Sequence, residues 1–155
     1  MDIFQMLLVD PRTDVNTIWV EEEENRVYDF SDEVVMLLLQ HKSFDINRPF
    51  WMEQKIRYRL FYERKTRSKK TTFLQHAIEN RALTMFTIIM KHPLLNPNIC
   101  VFCEKPIIIA AHEEKANNIG MFRALVRHPK TRPNALNKDG KTLFHQIVLT
   151  NHWRQ

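Results

Sequence analysis

The amino-acid sequence predicts an all-α fold, a solenoid of stacked helical pairs with one basic insertion between two of them. The chain repeats one phrase four times, in which an apolar helical stripe ends at an Asp or a His and is followed by a turn and an Asn. Only 2 of its 155 residues are glycine, which argues against a turn-rich β-sandwich. One segment, residues 48–70, interrupts the spacing of the phrases and carries most of the positive charge.

The repeated phrase marks the points where helices end. Its four copies cover residues 3–16, 34–47, 85–98 and 121–134. In the third copy Met85, Ile88 and Ile89 recur at the spacing of one helical face. Pro93 and Pro129 follow the His of the last two copies, and neither can continue a helix because proline lacks the N–H group. The sequence therefore predicts a helix that stops at each of these places.

One residue of each phrase serves as its anchor. The anchors, separated by 31, 51 and 36 residues, are Asp10, His41, His92 and His128. A period in the thirties with one stretched interval predicts a solenoid of helical pairs that carries an insertion. Because the three His share one position at a helix end, we interpret them as structural groups that cap carbonyls or favour the helix dipole.

We predict a single domain over residues 1–155 that begins and ends in half repeats. Residues 2–9 and 17–28 are expected to be helical, and Ser31 and Asp32 are expected to cap the helix that follows them. The predicted units are a half repeat at 1–16, repeats at about 17–47, 71–98 and 105–134, a half repeat at 138–155 and an insertion at 48–70.

Three of the predicted helix starts resemble the ankyrin repeat. Residues 139–145 read DGKTLFH, residues 105–111 read KPIIIAA and residues 72–77 read TFLQHA. They are similar to the ankyrin pattern, a β-turn followed by T-P-L-H-x-A at the start of the first of two antiparallel helices. The resemblance implies a non-enzymatic adaptor, inhibitor or scaffold that binds a partner protein through its turns and concave face.

The charge is distributed unevenly along the chain. Residues 1–47 hold eleven Asp or Glu against three Lys or Arg, although the whole chain has a net charge of +5. Residues 48–70 hold nine Lys or Arg against two Glu, and without them the net charge would be −2. We therefore expect an acidic end and a basic flank, which would steer the approach of charged partners.

The structure of the insertion is open between two alternatives. Residues 55–62, KIRYRLFY, alternate between polar and apolar side chains, which is the period of a β-strand. Met52, Ile56 and Leu60 also stand four residues apart, which would suit a short helix. The alternation favours an extended hairpin.

The insertion is the principal candidate for recognition of a protein partner, together with two exposed turn tips. The predicted partner-binding residues are Arg57, Tyr58, Arg59, Tyr62, Arg64, Lys65, Arg67, Lys69, Lys70, Glu104 and Lys138. The alternative function is nucleic-acid binding, in which the basic side chains contact phosphates and the aromatic ones stack on bases. Two further interpretations are a nuclear-import signal at 64–70 and a solvated loop.

No catalytic, metal or cofactor site is predicted. Cys100 and Cys103 have the spacing of metal ligands, and His92 or His112 could complete such a site, but a second Cys pair is missing. We interpret the two Cys as ordinary thiols rather than as a zinc site or a redox pair. Two glycines could hardly build a phosphate-binding loop, so we expect that the protein is not an enzyme.

The sequence also bears on location and on self-association. No run of eighteen apolar residues occurs, so no membrane contact is expected. An intracellular, cytoplasmic location is predicted, with nuclear entry through residues 64–70. The apolar residues of the two half repeats, at 1–16 and 138–155, would leave apolar surface at both ends, through which copies of the chain could associate.

Overall fold

The computed structural model contains mainly α-helices and one small sheet. It describes residues 3–10, 12–16, 32–56, 65–101, 105–112, 116–137 and 139–150. These residues belong to two compact units, Met1–Thr72 and Phe73–Gln155, which are described in turn. The single domain, its repeat boundaries and the solenoid stay predictions.

The described residues of the first unit form two helices followed by a pair of strands. Helix α1 covers Ile3–Val9 and helix α2 covers Asp32–Gln40, and the two contact each other. The strands are β1, Phe50–Ile56, and β2, Lys65–Thr71. Its buried apolar side chains include Val15, Val35, Leu38, Phe44 and Ile46. The helix predicted at 17–28 and the predicted cap Ser31 lie outside the described residues.

The second unit contains helices that start and stop close to the predicted places. They are α3 at Phe73–Glu79, α4 at Leu83–Met90, α5 at Pro106–His112, α6 at Ala116–Arg127 and α7 at Leu143–Thr150. Helix α3 contacts α4 and α5, helix α5 contacts α6 and α7, and α4 contacts α6. Their facing sides form an apolar core that includes Ile78, Ile89, Ile108, Met121 and Leu125.

The same turn follows each of the four helices that end at an anchor. The anchor N–H donates to the carbonyl three residues earlier, for example from His92 to Ile89 at 3.0 Å. The anchor side chain then accepts the N–H two residues later. The Nδ1 atoms of His41, His92 and His128 accept at 3.3 Å, and the Asp10 carboxylate accepts at 2.9 Å. The sequence analysis predicted that the three His side chains cap carbonyl groups. That prediction is wrong for these bonds, because the ring nitrogen accepts and a backbone N–H donates.

Two loops contain a residue in the left-handed region of the backbone. Arg81, φ 56°, follows α3, where its N–H donates to the Ile78 carbonyl at 3.1 Å and the next N–H donates to the Ala77 carbonyl at 2.9 Å. This is the Schellman arrangement, in which glycine is usually favoured. Gly140, φ 69°, forms the predicted turn before α7, within a loop that the Asn137 carboxamide oxygen stabilises by accepting two backbone N–H groups.

Candidate partner-binding ribbon

Strands β1 and β2 form an antiparallel ribbon inside the predicted insertion. Their Cα partners run from Phe50 opposite Thr71 to Ile56 opposite Lys65. The hairpin alternative is thereby confirmed, and a helix through Met52 and Ile56 is wrong. The strand starts earlier than the alternating residues 55–62 suggested, and residues 57–64 lie outside the described part of the chain. We call residues 50–56 and 65–71 the basic ribbon.

A buried pair holds the base of the basic ribbon. Phe50 and Thr71 stand opposite each other and both are buried. Burial of a phenylalanine side chain stabilises a fold by about 1.5–3 kcal/mol. Pro49 precedes the first strand, a position where the missing N–H of proline costs no ladder bond. The base is therefore anchored, whereas the two strands extend beyond it.

The register separates the basic residues between the two faces of the ribbon. Because successive residues of a strand alternate between faces, positions 65, 67 and 69 share the face of the buried pair. Those positions are Lys65, Arg67 and Lys69. Lys70 belongs to the other face, opposite Trp51. The register thus spaces these three positions at intervals of about 7 Å along the strand.

A contact between a cation and an aromatic ring joins Lys70 to Trp51. The Lys70 Nζ atom lies 6.0 Å from the centre of the Trp51 ring, and both side chains are partly exposed. At this distance the cation and the ring quadrupole attract each other by about 0.5–1 kcal/mol at an exposed site. The contact places a large flat ring beside a fixed positive charge.

The structure describes four of the residues predicted to bind a partner. Four predicted residues lie together on β2, namely Lys65, Arg67, Lys69 and Lys70. The others lie outside the described residues: Arg57, Tyr58, Arg59, Tyr62, Arg64, Glu104 and Lys138. Trp51, which the sequence analysis did not select, stands opposite Lys70. Its place opposite Lys70 depends on the register, and the alternation at 55–62 located the strand too late to show it.

A second polar surface lies at the turns after α4 and α6. The Asn98 carboxamide donates to the Lys130 carbonyl at 2.6 Å and accepts the Arg132 N–H at 2.8 Å. The Lys130 ammonium donates to the Pro93 carbonyl at 2.7 Å. An open groove of about 460 Å³ lies here, lined by Asn96, Asn98, Pro129, Lys130, Thr131 and Arg132. Since Asn98 and Lys130 are already engaged by backbone groups, we assign this groove a structural role.

The described residues offer no cluster suited to a metal ion. No group of three or more His, Cys, Asp or Glu side chains comes together among them. Cys100 is exposed, and Cys103 lies outside the described residues. His92, a candidate ligand, accepts the Leu94 N–H instead. Partial burial and the nearby charge of Lys130 both lower the pKa of His92, which keeps the ring neutral and able to accept.

Within the described part of the chain, no helix combines the length and apolar character needed to cross a bilayer. Comparison with models of protein families, with curated proteins and with solved structures finds no match for this chain. The ankyrin resemblance therefore rests on the residues at the three helix starts. What the protein binds must be argued from the chemistry of its own surface.

Proposed function

We propose that the protein is a non-enzymatic binding module, an adaptor, inhibitor or scaffold, that recognises an acidic surface of a partner protein through the basic ribbon. The observation that carries this proposal is the antiparallel pairing of β1 with β2, which extends from a buried base. It pairs the backbone of two parts of the most basic segment of the chain, residues 50–56 and 65–71. A paired backbone loses less conformational entropy on binding than a solvated loop would.

The ribbon suits a carboxylate-rich partner in spacing and in charge. Cations on alternate residues of a strand stand about 7 Å apart, which is also the interval of alternate residues in an extended acidic segment. Opposite charges at the rim of an interface accelerate encounter and select the partner more than they raise affinity. The turns and first helices of the predicted ankyrin-like stack would supply the remaining contact area.

A ribbon replacement tests the proposal directly. Replacement of residues 51–70 by Asn-Gly joins Phe50 to Thr71, which already stand opposite each other, through a two-residue turn. Proteins captured from nuclease-treated lysate by the intact chain should be lost with this variant, and unchanged helical circular dichroism would show that it folds. If the variant with the ribbon replacement captured the same proteins, the recognition surface would lie on the turns or the helices instead.

A matched charge reversal separates local recognition from net charge. Lys69→Glu with Lys70→Glu should weaken binding of the captured partner by roughly tenfold or more, because two rim cations become repulsive. The control is Lys91→Glu with Lys141→Glu, which changes the net charge equally at exposed sites of the second unit. If both double variants lost the same amount of affinity for the partner, only the net charge of the protein would control binding. Titration calorimetry gives both dissociation constants.

The pairing of Trp51 with Lys70 favours single-stranded nucleic acid as the second candidate partner. A flat aromatic ring beside a cation can stack on a base while the cation contacts a phosphate. Binding to a single strand would weaken with log salt at a slope of about −0.7 for each phosphate neutralised. A steep slope that disappears with Arg67→Gln and Lys69→Gln would favour nucleic acid over an acidic protein.

We also propose that the helix pairs continue as an ankyrin-like stack. The contacts of α3 with α4 and α5, and of α5 with α6 and α7, support this arrangement. So do the matching turns after four helices. An experimental structure in which residues 17–28 form a helix antiparallel to α2 would support the stack, and any other conformation there would contradict it.

The predicted location follows from the same basic segment. We propose an intracellular protein that enters the nucleus through residues 64–70, a short run of the kind that import receptors bind. A fluorescent fusion should accumulate in nuclei, and the Lys69→Glu, Lys70→Glu variant should not. Equal distribution of both fusions would remove the import role and leave the binding role untouched.

A further inference from the structure

Helices α4 and α6 carry an exposed apolar side chain at the same position. Leu83 in α4 and Ile119 in α6 each stand nine residues before the anchor at the end of the helix. They are 54% and 52% exposed. Single exposed apolar residues are common on protein surfaces and need no explanation. Two of them at one position of two neighbouring helices instead indicate a surface with a common property.

The two helices adjoin and bury the same positions. Met85 and Met121 stand seven residues before the anchors, Ile89 and Leu125 stand three before them, and each is at most 2% exposed. Helix α4 contacts α6, and the turns after the two helices are hydrogen-bonded to each other. The sides that remain exposed therefore lie next to each other, with the helix axes about 8–10 Å apart.

The exposed side of α6 combines apolar and positively charged residues. Ile119, Arg123 and Val126 are separated by four and then three residues, which is the spacing of one helical side, and all three are exposed. Arg127 follows one turn after Arg123 and is also exposed. Neither α4 nor α6 contains an Asp or a Glu. This pattern is complementary to a helix that combines apolar residues with carboxylates.

The exposed side of α4 is less polar than that of α6. Thr87 is exposed at the position equivalent to Arg123, and its hydroxyl donates to the Leu83 carbonyl at 2.8 Å, within the helix. The surface formed by the two helices is therefore apolar along α4 and basic along α6. We call it the outer face, and its residues are Leu83, Thr87, Ile119, Arg123, Val126 and Arg127.

We propose that the outer face binds an acidic amphipathic helix of a partner protein. Apolar residues of that helix would contact Leu83 and Ile119. Its carboxylates would pair with Arg123 and Arg127, which lie about 6 and 12 Å from Ile119 along α6. Residues four and eight apart on the partner helix have the same spacing, and docking through such residues is a common mode of helix recognition.

Two features of the outer face bear on the choice of partner. A bilayer suits it less well than a helix does, because binding to a bilayer grows with the apolar area buried, and here few apolar side chains are exposed. The outer face belongs to the second unit and includes no residue of the basic ribbon. The inference therefore does not depend on the function proposed for the ribbon.

Selection from a display library of random peptides tests the inference, with the intact chain as the target and peptides of about 20 residues, long enough to form a helix. Fluorescence anisotropy then gives the affinity of each enriched peptide for two double variants, Leu83→Gln with Ile119→Gln and Arg123→Gln with Arg127→Gln. At least one group of peptides should carry Asp or Glu four and eight residues from an apolar residue. These peptides should lose roughly tenfold or more in affinity with either double variant.

Three controls assign the binding to the outer face. The same peptides should bind like the wild type to Leu94→Gln with Leu136→Gln, to Lys42→Gln with Lys141→Gln, and to the chain with residues 51–70 replaced by Asn-Gly. The first two variants change the same number of apolar or basic residues at other exposed sites. The third separates these peptides from any that recognise the ribbon.

Two results would overturn the inference. One is a selection in which no enriched peptide depends on the outer face. The other is binding of the intact chain to vesicles of phosphatidylserine and phosphatidylcholine that both double variants of the outer face abolish, because the outer face would then recognise a lipid surface.

Discussion

At the scale of the residue, four side chains of two chemical types perform one task. The turn after each anchored helix leaves a backbone N–H two residues beyond the anchor, and Asp10 or a His ring nitrogen accepts it. A hydrogen bond of this kind contributes about 0.5–1.5 kcal/mol to stability. Accepting this hydrogen bond requires a lone pair on the side chain and involves no proton transfer. The three recurring His residues therefore share one structural role in these turns.

The His92 bond should make stability depend on pH. The folded pKa of His92 lies below its ordinary value, so the unfolded chain binds the proton more readily. The contribution of this hydrogen bond to the free energy of unfolding is complete above about pH 6.5. It is lost as the pH falls through the pKa that His92 has in the folded protein. Between pH 7.5 and 5 the free energy of unfolding should therefore decrease more in the wild type than in His92→Asp.

Asp10 accepts the equivalent N–H with a carboxylate, so the Asp introduced in the His92→Asp variant should replace the ring as the acceptor. Bonds from the Arg12 side chain and from its N–H lower the pKa of Asp10 and keep its carboxylate an acceptor. Urea denaturation at several pH values measures the difference between wild type and variant, and the remaining His residues are common to both. Equal pH dependence in the two proteins would contradict the assigned role of His92.

The two glycines should respond in opposite directions to the same substitution. Gly120→Ala lies in α6 with open space around the added methyl group, so it should stabilise by about 0.5–1 kcal/mol. Gly140→Ala also meets no neighbour, but its φ of 69° disfavours a side chain, so it should destabilise by about 1 kcal/mol. Thermal unfolding gives both values. Changes of the same sign would contradict the assigned backbone conformations.

At the scale of the element, Asn carboxamides join one turn to the next. Asn98 donates to one backbone carbonyl and accepts one N–H of the turn after α6. Asn16 bonds to Ser43 and Asp45 in the same way, at 2.6 Å and 2.9 Å. Each bridge connects residues about thirty positions apart, so it relates consecutive phrases of the sequence. In the first and third phrases the closing Asn therefore connects one turn to another.

Removal of one bridge should cost the two bonds that it makes. Asn98→Ala should lower the free energy of unfolding by about 1–2 kcal/mol, because each bond contributes about 1 kcal/mol. Asn134→Ala is the matched control: it ends the fourth phrase, is exposed and forms no hydrogen bond to the described residues, so its effect should be within about 0.5 kcal/mol. Similar losses from both variants in urea would show that the Asn acts through the turn conformation alone.

At the scale of the whole molecule, residues 51–70 supply the net positive charge, whereas the buried residues outside them supply the stability. Replacement of residues 51–70 by Asn-Gly removes eight basic and two acidic residues and changes the net charge from +5 to −1. It retains the buried residues Phe50 and Thr71 at the base of the ribbon. The ribbon can therefore serve recognition while the helical core supplies the stability.

The ribbon replacement should accordingly leave the free energy of unfolding within about 1 kcal/mol of the wild type, since the buried base is kept and short turns close favourably. Urea unfolding monitored by helical circular dichroism measures the difference. The Phe50→Ala variant is the contrast, with an expected loss of about 3–5 kcal/mol. A large loss on ribbon replacement would assign the strands a structural task and weaken the proposed division of roles.

Several features were predictable because their causes are local. Pro93 ends a helix through its own missing N–H, and Thr142 with Gly140 marks the turn and start of α7 within a few residues. The ribbon was predictable only in part. Alternation at 55–62 indicated an extended segment, but its strands start earlier, and the contact of Trp51 with Lys70 depends on which residues stand opposite each other.

The sequence by itself determined where most described helices end, which segment carries the basic charge and that His residues recur at one structural position, because periodicity, proline and charge act over short distances along the chain. Only the tertiary structure decided the strand register, the acceptor role of the His rings and the exposure of Leu83 and Ile119. These depend on which residues meet across long separations, and an apolar residue of a helix is buried or exposed according to what packs against it.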